Sequence, residues 1–165
     1  MKKIVLIAIM MIGSTVSYAQ SIFNTLEDMD GVSSVIVSKD AFEILSKFNP
    51  EGLEDNEAME IFNMINELDQ LKVFSTDDTV IANQMDKMVE TAVKKFKLTE
   101  LMRIKEDDSR VKIYVKAGKN KERVSEVLMF VKRNVGSVIV SLTGNIDINK
   151  ISKLADAYDL KVSKN

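Results

Sequence analysis

The sequence predicts an α+β domain of two layers, in which a mainly antiparallel β-meander packs against helices, preceded by a cleavable signal peptide. Three observations predict it. Helical periodicity dominates the first hundred residues, the period switches to two near Leu101, and the chain opens on a short cationic and apolar stretch unlike the rest. At 165 residues the chain holds one domain with a sizeable core; 45% hydrophobic and 29% charged residues mark it as globular.

Met1-Lys2-Lys3 is a cationic start, and Ile4 to Gly13 is unbroken apolar sequence. Ser17 and Ala19 are the small residues a signal peptidase reads, so residues 1–19 form the expected signal peptide, with cleavage between Ala19 and Gln20. The apolar run is about half the ~20 residues a membrane span requires. No cysteine stands at the cleavage point to carry a lipid, and no later run approaches membrane length. The expected product, residues 20–165, is a soluble exported protein of the periplasm or cell exterior without a transmembrane anchor. The absence of Cys suits a domain that folds there without disulfides.

Along that product, Ser21 caps a short helix carrying Ile22, Leu26 and Met29 on one face with Phe23 beside them, and Gly31 ends it. Val32 to Val37 reads as a strand. Asp40 with Glu43 has the spacing of a capping box and opens a helix through Phe42, Leu45 and Phe48 that must stop before Pro50. Asp55 to Leu68 has helical spacing through Ala58, Ile61, Phe62 and Ile65, and Leu71 to Ser75 is a short strand. Asp78, after Thr76 and Asp77, begins the longest helix, whose stripe is Ile81, Met85, Met88, Val89, Ala92 and Phe96.

Beyond it, Leu101 to Lys105 and Val111 to Lys116 alternate around a turn at Asp107-Asp108-Ser109. Residues 122–132 fit a helical face or a strand face; the continuous Val127-Leu128-Met129-Phe130-Val131 run and the Asn134-Val135-Gly136 turn favour the strand. Val138 to Leu142 is the next strand, ended by Gly144. Asp147 caps a last helix through Ile151, Leu154, Ala155 and Tyr158, and residues 161–165 form a frayed tail. The first two strands, separated by helical segments, pair in parallel or sit apart.

The leader, the Val35-Ile36-Val37 strand, and the Val140-Ser141-Leu142-Thr143-Gly144-Asn145-Ile146-Asp147 stretch before an amphipathic helix resemble domain-of-unknown-function family 4252, exported proteins of Bacteroidota. The resemblance implies an envelope location and an α+β domain of similar length. It brings no catalytic residue, because that family has no established activity. Gly144 and Asp147 match its motif, with strand exit and helix cap as their structural roles.

Composition narrows the chemistry further. Without His or Cys there is no imidazole base, no thiol nucleophile and no typical zinc or copper site. The adjacent carboxylates Glu54-Asp55, Asp77-Asp78 and Asp107-Asp108 sit where loops, helix starts and turns want them, and the chain has no Trp with which to line a glycosidase cleft. A Ser–Lys pair at Ser125 or Ser141 lacks any supporting motif. Asp28-Met29-Asp30-Gly31 starts like a calcium loop, but its twelfth position is Lys39. With Lys2 and Lys3 lost to the leader, the 23 basic and 25 acidic residues become 21 and 25, and this charge of −4 with scattered lysines argues against nucleic acid or an anionic membrane as the main partner.

The expectation is therefore a non-catalytic exported module with no cofactor, no metal and no catalytic residue. It would bind an envelope protein or a second copy of itself through a sheet face or strand edge. Carriage of a small apolar ligand is the alternative, and an enzyme of unrecognised type comes third. Val127 to Val131 would supply the binding surface if it lay at an edge, and the core otherwise.

Overall fold

The fold comes from a computed structural model that describes residues 19–47, 67–118 and 122–149. A 3₁₀ helix, Ala19–Leu26, leads into strand β1 (Ser33–Ser38) and helix α1 (Lys39–Lys47). Then follow β2 (Leu68–Thr76), α2 (Thr79–Phe96), β3 (Thr99–Lys105), β4 (Ser109–Ala117), β5 (Arg123–Arg133) and β6 (Ser137–Asp147). The six strands form one sheet in the order β1-β2-β6-β5-β4-β3, with every neighbouring pair antiparallel. Strands β3 to β6 are the expected meander. The expected helix over 55–68 lies outside the described residues up to position 66, and at its far end Leu68 already belongs to β2. The last helix beyond Asn149 and the tail lie outside them, while Ala19 and Gln20, the expected cleavage boundary, fall within the opening 3₁₀ helix.

Helix α2 is the clearest match between pattern and structure. Asp78 has extended backbone geometry, and its Oδ1 accepts from the Val80 and Ile81 amides at 2.7 and 3.1 Å. Two of the donors that open every helix are thereby satisfied. Lys97 in the left-handed region ends the helix, after Lys94 and Lys95 have placed positive charge against its dipole. Its 18 residues span about 27 Å, enough to cross the roughly 19 Å from β2 to β3, four strand positions away.

The helical layer covers one face of the sheet. Met85, Val89, Ala92 and Phe96 of α2 pack with Phe74 of β2, Tyr114 of β4, Leu128 and Phe130 of β5 and Ile139 of β6. Phe23 and Leu26 complete this core and are fully buried. In a 3₁₀ helix residues three apart eclipse, so Phe23 and Leu26 share the inward row; the α-helical face through Ile22, Leu26 and Met29 leaves Ile22 and Met29 only half-buried. The opposite face is apolar as well. Val111, Ile113, Val115, Val124, Val127 and Val131 are buried there with Phe42 of α1 and Ile146.

Three expectations are corrected, and a fourth is resolved. The first two strands are antiparallel neighbours, Val35 opposite Val73 and Val37 opposite Leu71. Helix α1 begins two residues early because Ser38 Oγ accepts from the Ala41 amide at 3.4 Å, leaving Asp40 in the first turn instead of at the cap. The expectation for Val127 to Val131 holds in its core form: strand β5 is interior and packed on both faces, which explains why the run lacks alternation. Gly144 lies within β6 and does not end it. Its φ of +153° and the close approach of the Glu67 carbonyl and Leu68, where a Cβ would stand, make glycine obligatory at that spot. Asp147 does act as a cap, its Oδ1 accepting from the Asn149 amide at 2.9 Å.

Phe23→Ala should cost about 3–5 kcal/mol, because it empties a site closed on all sides. Urea denaturation checks this, and a loss below about 1 kcal/mol would mean that the 3₁₀ helix is not docked.

Candidate functional site: an open edge beside a buried lysine

Strand register defines rows of side chains across the sheet. On the helix-covered face one row runs Ile36, Lys72, Ser141, Leu128, Tyr114, Glu100, from β1 to β3. The next row is Ser38, Gln70, Thr143, Glu126, Lys116. Lys72, Thr143, Glu126 and Ser141 are buried, so polar groups interrupt an otherwise apolar face between the 3₁₀ helix and the sheet. On the other face the central row is Val35, Val73, Val140, Met129, Ile113, Met102, apolar in all six strands.

Lys72 ties the 3₁₀ helix to the sheet. Its Nζ lies 2.6 Å from Glu27 Oε1 and donates to Asn24 Oδ1 at 2.9 Å. The lysine is 7% exposed, so its charge is removed from water and held by these acceptors instead. Lys132 of β5 repeats the device more openly against Asp86 of α2, at 2.7 Å. Ser141 stands opposite Lys72 in the register, so the fold brings together a serine and a lysine that lie 69 residues apart in sequence. Lys72 Nζ nonetheless directs hydrogen bonds to Glu27 and Asn24. Ser125, of the second Ser–Lys pair, donates to the Lys116 and Ala117 carbonyls at 3.5 Å.

The carboxylate pairs do not converge. Asp78 caps α2, Asp108 accepts from Asn134 Nδ2 at 2.6 Å beside the β3–β4 turn, and Glu54-Asp55 lies outside the described residues. Among the described residues no group of three or more acidic side chains is placed to hold a metal ion. Gly31, the end of the calcium-like stretch, is engaged through its carbonyl, which accepts from Thr76 Oγ1 at 2.7 Å.

The two edges of the sheet differ in kind. Strand β3 carries Glu100, Arg103 and Lys105, and Arg103 grips Glu100 through two hydrogen bonds of 3.0 and 2.7 Å. The Arg103 guanidinium holds the Glu100 carboxyl below its ordinary range, and Glu100 in turn raises Arg103. Such charges guard an edge against pairing with another chain. Strand β1, Ser-Ser-Val-Ile-Val-Ser, has no charge and no proline, and no described segment lies beyond it. Val35 is 55% and Ile36 42% exposed, and nearby Ile44 of α1 is exposed too. Sequence reading identified this strand but not its place at the edge, which depends on pairing with β2 more than thirty residues later.

Most of the chain, residues 23–154, matches the family model described as a domain of unknown function, DUF4252; the protein belongs to that family. No curated protein and no solved structure matches the chain. Among the described residues no helix is long and apolar enough to cross a membrane.

Glu27→Leu should lower stability by roughly 1–3 kcal/mol, because it strands a buried ammonium, and adding Lys72→Met should recover most of that loss. A double-mutant cycle in urea measures the coupling, and additive effects would show that the pair does not anchor the helix. Burial raises the Tyr114 phenol above its ordinary value of 10.0. The unfolded chain then ionises first, so the stability tied to Tyr114 is complete below pH 10 and falls as pH rises towards the folded value. Absorbance at 295 nm should show a late-titrating phenolate that Tyr114→Phe abolishes.

Proposed function

We propose that residues 20–165 form an exported, non-catalytic interaction module of the cell envelope that binds an extended partner segment along β1. The observation that carries the reading is an uncharged edge beyond which no described segment lies, with Val35 and Ile36 exposed on its two faces. An extended chain adding to such an edge gains main-chain hydrogen bonds, while side chains at alternate positions meet pockets on either face. Export is supported by the leader pattern of residues 1–19 and by a family match that starts after it, at Phe23.

The buried chemistry of the helix-covered face is read as structural. Lys72 is engaged with Glu27 and Asn24, and the space between α2 and the sheet is filled by Phe23, Leu26, Phe74, Met85, Leu128 and Phe130. An apolar ligand would have to displace that packed core, which weighs against carriage at this place.

The test is in-cell crosslinking of the tagged protein, with mass spectrometry of what is recovered. The expected result is a reproducible envelope partner, or the protein itself, crosslinked through β1 and lost in Val35→Lys. Crosslinks that map elsewhere and survive Val35→Lys would overturn the reading.

A further inference from the structure

Strand β1 is nearly symmetrical about its own centre. Read outward from Ile36, each side meets a valine and then a serine: Val35 and Val37, Ser34 and Ser38. That symmetry matters because of how two identical edges can join. A continuous antiparallel sheet formed by two copies needs a two-fold axis normal to the sheet. Such an axis keeps each residue's face, so residue i must pair with a residue an even number of positions away. A register centred on Ile36 satisfies this, with Ile36 opposite Ile36 of the other copy, Val35 opposite Val37 and Ser34 opposite Ser38.

We infer that a second copy of this chain is the partner of β1, paired antiparallel about Ile36 into a continuous sheet. The inference rests on the reading of β1 as the binding edge. The five rungs from Ser34 to Ser38 pair like with like: isoleucine on isoleucine, valine on valine, hydroxyl on hydroxyl. The first charged position, Lys39, falls opposite Ser33, and its amine is turned to Asp69 at 3.3 Å. The six-strand apolar row ending at Val35 runs on through Val37 of the other copy into the next apolar row, Leu71, Leu142, Val127, Val115. On the helix-covered face the two Ile36 side chains cover each other. At the far edge, the charges of β3 prevent the same growth, so pairing stops at two copies instead of running on into a filament.

The natural absence of cysteine makes the register directly measurable. In the proposed pairing the two Ile36 Cα atoms lie about 4.5–5.5 Å apart, within the range of a disulfide. The two Val35 Cα atoms lie about 8 Å apart, two residues out of step, beyond that range. Ile36→Cys should therefore form an intermolecular disulfide under mild oxidation and Val35→Cys alone should not, whereas Val35→Cys mixed with Val37→Cys should. Sedimentation equilibrium of the unmodified protein should show a monomer–dimer equilibrium whose Kd rises roughly tenfold or more in Ile36→Lys, which sets two ammonium groups opposite each other.

A monomer at millimolar concentration, or a dimer in which Val35→Cys crosslinks as well as Ile36→Cys, overturns the self-pairing. If the protein is monomeric yet an envelope protein is still crosslinked through β1 and lost in Val35→Lys, only the second-copy assignment falls. If neither partner is found on β1, the edge reading falls with it.

Discussion

The pairing of β2 with β6 is the contact on which the rest of the molecule depends. It joins the N-terminal half, with its helices, to the C-terminal meander; without it the chain would hold two unconnected pieces of sheet. The seam is specified closely. Leu71, Val73 and Ser75 face Leu142, Val140 and Val138, and a one-residue slip would turn Phe74 and Lys72 out of the helical layer. Gly144 lets the Glu67 carbonyl approach at one end, and Gly136, with φ +85°, lets the Thr76 carbonyl approach at the other. With the seam fixed, α2 must cross the sheet to start β3 at the far side, and β1 is left as the outer strand.

The same seam produces the buried polar row. Lys72 lies on the face that Phe74 commits to the core, so its amine has to be met from the helical side, and Asn24 and Glu27 do this. Replacing such a pair by apolar residues is often neutral in stability, so its value lies in placement. It holds the 3₁₀ helix in one position over the sheet while Phe23 and Leu26 supply the attraction. The segment Ala19–Leu26 is thereby anchored to the sheet.

Local features were legible in the sequence. A capped start within Thr76-Asp77-Asp78, the α2 stripe, the turn near Asp107 and the α+β character all follow from period and composition, which act within a few residues; which of the three residues caps does not. Features set by distant pairing were not. Nothing in Ser33–Ser38 distinguishes an edge from an interior strand, since the distinction lies in what pairs with it. The burial of Lys72 is likewise invisible, because a lysine between Leu71 and Val73 reads as a solvent-facing position until its row is known. Val127 to Val131 was ambiguous for a physical reason: an interior strand buried on both faces has no alternation to read. The Ser38 cap shows the limit of motif spacing, because Asp40 and Glu43 have the right separation but start at the second residue of the helix.

The two edges of the described sheet differ in kind: β3 carries Glu100, Arg103 and Lys105, whereas β1 presents only valine, isoleucine and serine. Residue-resolved hydrogen exchange in dilute protein tests that difference most directly. The account predicts that alternate β1 amides, those not bonded to β2, exchange within seconds to minutes, while β5 and β6 amides exchange only on global unfolding. Protection of every β1 amide at the level of β5 in the dilute monomer would mean that the edge is already closed, and the account of β1 as a docking strand would be contradicted.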